Sequence, residues 1–288
     1  MTLELKNIGM IKEASVKIDG LTVIAGENDT GKSTVAKALH YEALSYDSMG
    51  IFPIPLNRAS LTFGENEKVK GAILIDTPNS LDTFSFIKNA TMLIHQQRLN
   101  IHLPLFRTDL ILRLSQDISE DLVKGKIYKD IENLIDGKVF YNKSKDEILY
   151  EKYSLDNQIF KMENTSNGIK MFGFLQILLL NGTIKRDTIL ILDEPEVHLH
   201  PKWQLKYALF IVELVKNGVR VLVNSHSPYM IEALKRYSEV EETEDKTNFY
   251  LAEDGYIEYQ ESLEDIFEKL VLPIRELKKL KMDRYLND

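Results

Sequence analysis

The chain has 288 residues, 44% of them hydrophobic, and a formal net charge of -8 at pH 7. A chain of this length can bury a full hydrophobic core. The acidic net charge argues against diffuse nucleic-acid binding, although it does not exclude a local basic groove. There is no cysteine, which excludes disulfide frameworks and thiolate zinc sites. The first residues lack the apolar core of a signal peptide, and the longest apolar run, Phe172 to Leu180, is too short to cross a membrane. We therefore expect a soluble, cytoplasmic protein that does not interact with membranes.

In the N-terminal half, short alternating runs predict strands. Apolar and polar residues alternate in LELKNI and in ASVKI, and LTVIA (Leu21 to Ala25) is a compact apolar strand. A helix is predicted next, from Lys32 to about Leu44. Prolines then punctuate a mixed region, in which AILIDTP (Ala72 to Pro78) is the best strand candidate. A helical pattern follows from Thr108 to Ile135.

The C-terminal half begins with KVFYNK, EILYEKY and QIFKM, which predict a three-stranded β-meander. Helices and strands then alternate, which predicts a parallel sheet. These elements are a helix from Ile169 to Leu180, a strand from Thr188 to Leu192, a helix from Trp203 to Lys216 and a strand from Val219 to Asn224. The last predicted elements are a strand in NFYLAEDGYIEY, a helix from Leu263 to Leu270, and a basic helix (Ile274 to Arg284) whose charges are best read as a solvated face.

The segment GENDTGKST matches the phosphate-binding pattern G-x-x-x-x-G-K-[ST] in full, between an apolar strand and a helix. Its glycines let backbone N–H groups face phosphate oxygens, and the helix N-terminus favours negative charge. Lys32 is predicted to neutralise the β and γ phosphates of ATP, and Ser33 to ligate Mg²⁺. A glycine-rich turn that only caps a helix is a much weaker alternative. The predicted ATP-binding residues of this loop are Gly26, Glu27, Asn28, Asp29, Thr30, Gly31, Lys32, Ser33 and Thr34.

Two carboxylates, Asp193 and Glu194, follow the buried strand TILIL. Asp193 is predicted to reach Mg²⁺ through water, and Glu194 to orient or deprotonate an attacking water. His226 ends the next strand, and the carboxyl ends of adjacent parallel strands line one crevice, so these three side chains should converge on the γ-phosphate. Lys32, Glu194 and His226 are thus the predicted catalytic residues, and Ser33 and Asp193 the predicted Mg²⁺ ligands. A purely structural histidine is the alternative for His226.

The order of GENDTGKST, TSNGIK, LDEPEVHLHP and NSHSP resembles the ATP-binding cassette (ABC) class of ATPases, in its SMC, RecF and OLD-type branch. The resemblance covers residues 1–45 and 160–235. It implies an α/β, RecF-like P-loop ATPase head with a parallel RecA-like core sheet, an N-terminal β lobe and a helical insertion. It also implies one two-lobed ATPase domain over residues 1–288, with an insertion at 46–159 and a C-terminal strand and helices at 236–288.

The resemblance further places the family's Leu-Ser-Gly-Gly signature at Thr165 to Gly168, where Ser166 and Gly168 are kept and would bind ATP. In this family the signature of one subunit closes over the ATP bound by the other, so a homodimer with two composite ATP sites is expected. The strip from Val197 to His200 would cross that interface. Metal ligation by His198 and His200 is a poor alternative, because no third ligand is suitably spaced.

One family element, the glutamine loop, has two candidate positions. The strand AILI leads into Asp76 and Thr77, about where the loop would begin, whereas Gln96 and Gln97 lie later in the chain. The sequence leaves this assignment open.

The resemblance implies a Mg²⁺-dependent ATPase that releases ADP and phosphate. OLD-type relatives often continue into a TOPRIM nuclease, but only 62 residues follow His226. We therefore expect a dimeric switch or sensor that controls a separately encoded effector, such as a nuclease or toxin in antiviral defence. A DNA-binding recombination or repair clamp is the alternative, in which nucleic acid would contact Lys278, Lys279 and Lys281. A small-molecule kinase is less favoured, because the chain has the SNG element and a strand-end histidine in place of an arginine lid.

Overall fold

The computed structural model describes residues 1–45, 59–62, 69–99, 101, 103–118, 125–197, 199–272 and 277. Four residues singled out from the sequence, His198, Lys278, Lys279 and Lys281, lie outside these ranges. Most of the predicted basic helix from Ile274 to Arg284 lies outside them as well.

The described part of the chain forms twelve strands in two sheets, with helices between them. The strands are β1 (Thr2–Ile8), β2 (Ile11–Lys17), β3 (Leu21–Ala25), β4 (Ala59–Thr62), β5 (Gly71–Ile75), β6 (Gly137–Asn142), β7 (Glu147–Lys152), β8 (Gln158–Lys161), β9 (Thr188–Asp193), β10 (Arg220–Ser225), β11 (Thr247–Glu253) and β12 (Tyr256–Gln260). The helices are α1 (Lys32–Ser45), α2 (Phe84–Gln97), α3 (Leu105–Leu114), α4 (Lys126–Ile135), α5 (Asn167–Leu180), α6 (Pro201–Lys216) and α7 (Pro228–Val240). A further helical segment covers residues 264–272.

The larger sheet has nine strands in the order β4-β1-β2-β12-β11-β3-β10-β9-β5. Strands β11, β3, β10, β9 and β5 run parallel to their neighbours in this series, whereas β1 pairs antiparallel with β2 and β4. The register places Asn224 of β10 opposite Asp193 of β9, and Ser225 opposite Ala25 of β3. Because these strands are parallel, their carboxyl ends meet at one edge of the sheet. The predicted parallel core and N-terminal β lobe are therefore confirmed.

Helices cover both faces of the parallel strands, which explains why these strands are apolar throughout. Successive side chains of a strand point to opposite faces. Val23 accordingly belongs to the same core cluster as Phe172 of α5 on one face, and Ile24 to the same core cluster as Val35 of α1 on the other. All four side chains are fully buried, and each contributes about 1.5–3 kcal/mol of transfer free energy. The core thus holds β3 and α1 rigidly on either side of the phosphate-binding segment.

The described residues between β5 and α5 form the second sheet and the helices α2, α3 and α4. Strands β6, β7 and β8 make the predicted antiparallel meander. Gln176 of α5 ties the meander to the core, because its Oε1 accepts a hydrogen bond from Val139 N at 2.6 Å and its Nε2 donates to Gly137 O at 3.4 Å. An ion pair of 2.7 Å between the buried Lys170 and the more exposed Asp82 adds a second link to α5.

Three local predictions differ from the structure. The helical pattern from Thr108 to Ile135 corresponds to two helices, α3 and α4, because Ser115 ends α3 with its hydroxyl bonded to Leu112 O, and Gly125 precedes α4. The segment NFYLAEDGYIEY forms two strands, because Asp254 and Gly255 both adopt positive φ and turn the chain. Helices α2 and α7 were not anticipated, although Ser227 followed by a proline is a typical helix start.

The division into lobes stays a prediction, but the large sheet crosses its borders. Strand β5 comes from the stretch assigned to the insertion and pairs with β9, and β11 comes from the C-terminal stretch and pairs with β3. None of the described helices has both the length and the apolar character needed to cross a membrane.

Candidate active site

The phosphate-binding loop connects β3 to α1 in a backbone conformation that only certain residues adopt. Gly26, Asp29 and Gly31 have φ values of 155°, 64° and 96°. A Cβ atom on Gly26 would lie 2.6 Å from Ala252 O of β11, and one on Gly31 would lie 2.8 Å from a carbon of Ile11. The loop therefore requires glycine at both positions, for conformation and for space.

Lys32 opens α1 and points its ammonium group back into the loop. Its Nζ donates hydrogen bonds to Gly26 O at 2.9 Å and to Glu27 O at 2.6 Å, and it lies 3.8 Å from Glu194 Oε1. The side chain is only 4% exposed. Burial lowers the pKa of Lys32, and the nearby carboxylates of Glu194, Asp193 and Glu196 oppose that effect. The loop thus holds a buried cation against several carboxylates.

Asp193 ends β9 and is held from the two neighbouring segments. Asn224 Nδ2 donates to Asp193 Oδ1 and to Lys32 O, both at 2.8 Å. Burial raises the pKa of the Asp193 carboxyl, while hydrogen bonds from Asn224 and from the Ser33 hydroxyl oppose the rise. Asn224 therefore joins the ends of β9 and β10 to the start of α1. Ser33 and Asp193, the two predicted Mg²⁺ ligands, thus lie within hydrogen-bond reach of each other.

Glu194 and His226 face each other across the ends of β9 and β10. Glu194 adopts the left-handed conformation with a φ of 53°, held by its N–H, which donates to Asn224 O at 2.9 Å. His226 Nδ1 lies 3.3 Å from Glu194 Oε1. This contact lowers the pKa of Glu194 and raises the pKa of His226. Glu194 is therefore ionised at neutral pH, and the cationic form of His226 is favoured.

A cavity of about 270 Å³ opens beside these groups. Ser33, Asp193 and Glu194 line one side of it, and Asp76 and Thr77, which follow β5, line another. Arg107 fixes Asp76 with two hydrogen bonds of 2.9 and 3.3 Å to its Oδ2. Gln96 and Gln97, the other candidates for the glutamine loop, lie exposed at the end of α2. Of the two candidate positions, the one after β5 is the one that reaches the site.

The oxygen-rich side of the cavity fits Mg²⁺. Within the described residues, no group of three or more histidine or acidic side chains could hold a metal ion by itself. Mg²⁺ does not need such a cage, because it usually keeps several waters and binds through one or two carboxylates and phosphate oxygens. Asp193 and the Ser33 hydroxyl supply ligands of this kind, and a cation there would offset the cost of burying the Asp193 carboxylate.

The two residues predicted to belong to the signature, Ser166 and Gly168, pack elsewhere. Ser166 caps α5, its hydroxyl oxygen accepting a hydrogen bond from Ile169 N at 3.4 Å. Gly168 lies under the ring of Trp203, where a Cβ atom would come within 2.7 Å of the indole. Among the contacts of the described residues, none joins Ser166 or Gly168 to Lys32, Glu194 or His226. Each chain thus brings together the loop, the carboxylates and the histidine, but not the signature.

The strip after the carboxylates leads into α6. His200 is exposed and caps this helix, because its Nδ1 accepts a hydrogen bond from Lys202 N at 3.2 Å, and Pro201 occupies the first helical position. Leu199 is buried and lies against Gly168. His200 therefore has a local structural role, and the crossing of a dimer interface by this strip stays a prediction.

Two site residues were missed by the reasoning from the sequence, Asn224 and Glu196. Both are buried polar residues, at 0% and 3% exposure. For Asn224, the signal in the sequence was a polar side chain directly after an apolar strand. For Glu196, it was a third acidic residue close behind Asp193 and Glu194. Neither signal is specific, because their partners lie on the adjacent strand end.

Comparison with known proteins matches residues 82–232 to a family described as "AAA domain, putative AbiEii toxin, Type IV TA system". The curated Septu protein PtuA from Bacillus thuringiensis is 23% identical over 124 residues, which cover 38% of this chain and 30% of that protein. The matched segment therefore spans less than a third of that relative.

Two solved structures are similar along most of their length. One is an ATP-binding cassette of an ABC transporter, with a TM-score of 0.53 and 17% identity, covering 94% of this chain and 96% of that one. The other is an Smc head domain from Pyrococcus furiosus, bound to the C-terminal domain of ScpA, with a TM-score of 0.50 and 14% identity, covering 95% and 98%. The fold is therefore that of ABC and SMC ATPase heads, as the sequence resemblance implied.

Proposed function

Because this chain belongs to the AAA-domain family whose model matches residues 82–232 of its 288, we propose that it hydrolyses ATP as a homodimeric switch. Engagement and release of the two copies would control an effector protein encoded separately and nearby, in a defence context. The similarity to Septu protein PtuA over part of the chain supports that context.

The observation that carries the proposal is the meeting of four side chains at one edge of the sheet. Lys32 lies within 3.8 Å of Glu194, Glu194 within 3.3 Å of His226, and Asp193 shares the amide of Asn224 with the start of α1. These groups come from the ends of β3, β9 and β10, which is where ligands bind in an open α/β sheet. A cation, a metal ligand, a carboxylate base and a histidine together match the needs of phosphoryl transfer to water.

Each residue has a distinct role in this proposal. The loop N–H groups and Lys32 bind the phosphates, while Ser33 and Asp193 hold Mg²⁺, which polarises phosphate oxygens when bound. Glu194 is kept ionised by His226, so it can accept a hydrogen bond and a proton from the attacking water. His226 is 39% exposed at its side chain and can donate toward the γ-phosphate.

The position of the predicted signature supports the proposed dimer. Ser166 stands exposed at the N-terminus of α5, which favours an anionic ligand, yet its described contacts do not include the loop of its own chain. A second copy facing the first would bring this helix end to the phosphates of the opposite site. In that arrangement a monomer binds ATP but hydrolyses it slowly.

The test compares the wild-type protein with Glu194→Gln and the control Glu241→Gln. Glu241 is a half-buried glutamate that pairs with Lys216, away from the candidate active site. We expect MgATP to release phosphate without any acceptor, Glu194→Gln to lower turnover about 10²- to 10⁴-fold, and the control to behave as wild type. ATP affinity should survive in all three.

Sedimentation of Glu194→Gln with and without ATP tests the dimer, because slow turnover traps the ATP-bound state. A shift to twice the monomer mass with ATP is expected. Copurification with the products of adjacent genes tests the effector. Equal turnover in the wild type and in Glu194→Gln would contradict the catalytic assignment, and a monomer under all conditions would contradict the switch.

A further inference from the structure

Glu196 is a buried acidic residue to which the proposed chemistry gives no role. It is 3% exposed and stands two residues after Glu194, but it does not line the cavity beside Asp193. Its Oε1 accepts three hydrogen bonds, from Ser225 Oγ at 2.7 Å, His226 N at 3.0 Å and Ser227 N at 3.2 Å. A single carboxylate oxygen therefore binds the whole segment that follows β10.

A second buried polar residue, Gln204, also holds this segment in place through hydrogen bonds. Ser227 Oγ donates to Gln204 Oε1 at 2.7 Å, and Gln204 Nε2 donates to Leu199 O at 3.0 Å. Glu196 and Gln204 together connect the segment after β9, the first turn of α6 and the segment after β10. Buried polar groups of this kind hold a single arrangement, because any shift leaves a donor without an acceptor.

The consequence for His226 is direct. Its own N–H is one of the three donors to Glu196, so the backbone that carries the imidazole is tied to the loop that carries Glu194. The imidazole Nδ1 lies 3.7 Å from Glu196 Oε1 and 3.3 Å from Glu194 Oε1. A charged acceptor forms stronger hydrogen bonds than a neutral one, which suits a carboxylate at this position.

We propose that Glu196 is a positioning residue, which ties residues 225–227 to the loop after β9 and thereby holds His226 beside Glu194. This inference rests on the proposed ATP hydrolysis by the same site. Glu196 is given no part in proton transfer, because its Oε1 is occupied by three donors and the residue does not line the cavity, although its Oε2 has no hydrogen-bond partner among the described residues. Its replacement should lower the rate of hydrolysis and leave nucleotide binding, which depends on the loop before α1, almost intact.

Two substitutions distinguish the role of Glu196 as a hydrogen-bond acceptor from the role of its negative charge. Glu196→Met keeps the approximate length of the side chain but removes the acceptor shared by Ser225 Oγ, His226 N and Ser227 N, of which Ser227 N keeps a second acceptor in Ser225 Oγ. Glu196→Gln keeps an acceptor oxygen and removes the charge. We expect kcat to fall about 30-fold or more in Glu196→Met and only about 3- to 10-fold in Glu196→Gln, with ATP affinity within about threefold of wild type in both.

Gln176→Met is the matched control. Gln176 is also fully buried, and it also accepts a hydrogen bond from a backbone N–H, that of Val139 in the meander. This variant should lose thermal stability to a similar degree while kcat stays within about twofold of wild type, since only the site near Glu196 is tied to the reaction. A matching loss of kcat in the control, or a loss of ATP affinity as large as that of kcat in Glu196→Met, would overturn the positioning role.

A milder variant covers the case in which Glu196→Met does not fold. Ser225→Ala removes the donor at 2.7 Å to Glu196, together with the hydroxyl that accepts a second hydrogen bond from Ser227 N at 3.1 Å. Ser225→Ala should lower kcat by about 2- to 5-fold. When it is added to Glu196→Gln, it should lower kcat by a smaller factor than in the wild type, because both changes act through one contact. Full additivity of the two changes argues against the proposed mechanism.

A readout without turnover separates this inference from the proposed function. The chain has 6 histidines, and the imidazole resonance of His226 can be assigned by its absence from the His226→Gln spectrum. Glu196→Gln and Ser225→Ala should each shift that resonance in the absence of ATP, whereas Gln176→Met should not. An unchanged resonance in both variants refutes the positioning role even if ATP is hydrolysed. A shifted resonance in a protein without ATPase activity refutes the proposed function alone.

Discussion

Two polar clusters of this protein, each containing a buried lysine, differ in how completely their groups are paired. In the insertion cluster, Lys88 bonds to Tyr141 and Asp146, and Tyr141 also bonds to Asp146. The site cluster consists of Lys32, Asp193, Asn224, Glu196 and His226. Of the six buried polar side-chain atoms that have no hydrogen-bond partner among the described residues, three lie in the site cluster, namely Glu196 Oε2, Asn224 Oδ1 and His226 Nδ1, the last of which has only its ion-pair approach of 3.3 Å to Glu194 Oε1.

This difference separates a polar cluster that stabilises the fold from one arranged for a ligand. A satisfied buried network rigidifies its surroundings, whereas unpaired buried groups cost stability and are kept where function needs them. We therefore expect substitutions in the insertion cluster to change the free energy of unfolding, and substitutions in the site cluster to change nucleotide chemistry. The following predictions test that separation, from the largest expected effect to the smallest.

Lys32→Met should lower ATP affinity by about 100-fold, because it removes a buried charged donor to phosphate. The free energy of unfolding without nucleotide should change little, because relief from burying the ammonium group is offset by the loss of its two hydrogen bonds and of its charge beside Glu194. Titration calorimetry and thermal unfolding measure the two effects. A clear loss of stability in Lys32→Met would contradict the expectation that substitutions in the site cluster change nucleotide chemistry and not the free energy of unfolding.

Gly168→Ala should cost about 1–3 kcal/mol of stability, because its Cβ atom would be 2.7 Å from the Trp203 ring. Trp203 is the only tryptophan of the chain, so its fluorescence should shift as the ring is displaced. Gly173→Ala in the same helix is the control, since its Cβ atom would meet Val139 at 3.0 Å and the substitution also favours helix. Equal stability and equal fluorescence of the two variants would contradict the packing argument.

Asp146→Asn should cost about 1 kcal/mol of stability and leave ATP turnover unchanged, because it weakens the bond to the buried Lys88. Burial raises the pKa of Asp146, but the hydrogen bonds from Lys88 and Tyr141 outweigh it and hold the pKa below its usual range. The lowered folded pKa means that the stabilisation is present above the unfolded pKa of about 3.9 and is lost as pH falls through the folded value. Thermal unfolding from pH 7 to pH 3 should show the gap between variant and wild type closing at the acidic end. A difference in stability between Asp146→Asn and the wild type that grows as the pH falls would contradict this explanation.

His200→Ala should cost about 0.5–1 kcal/mol, because it removes the cap of α6. His200→Asn should restore most of that stability, since asparagine is a good capping residue. Turnover measured beside thermal unfolding separates capping from the expected interface. A loss of turnover that persists in His200→Asn supports contact with a second copy, and normal turnover in both variants leaves His200 as a cap only.

Much of the site could be predicted because its signals are local. The phosphate-binding pattern lies within nine consecutive residues, and each carboxylate or histidine directly follows an apolar strand. Parallel strands then bring these ends together, which is why Lys32, Glu194 and His226 are found close to one another.

The missed residues depend on contacts between distant segments. Asn224 acts on Asp193 because the register pairs β10 with β9, and Glu196 acts on His226 because their loops are adjacent. The choice of Asp76 over Gln96 depended on β5 being the neighbour of β9, which no local pattern states. The break between α3 and α4 was missed because helical periodicity continues across Ser115.

The sequence by itself determined the phosphate-binding loop, the alternation of helices and strands around it, and the polar groups that end each strand, because these features follow from spacing, burial pattern and backbone preference along the chain. Only the tertiary structure decided which strands are neighbours, which polar atoms pair, and which buried groups keep an unpaired atom beside the site. Those outcomes depend on strand order and register, which arise from packing between residues far apart in the chain.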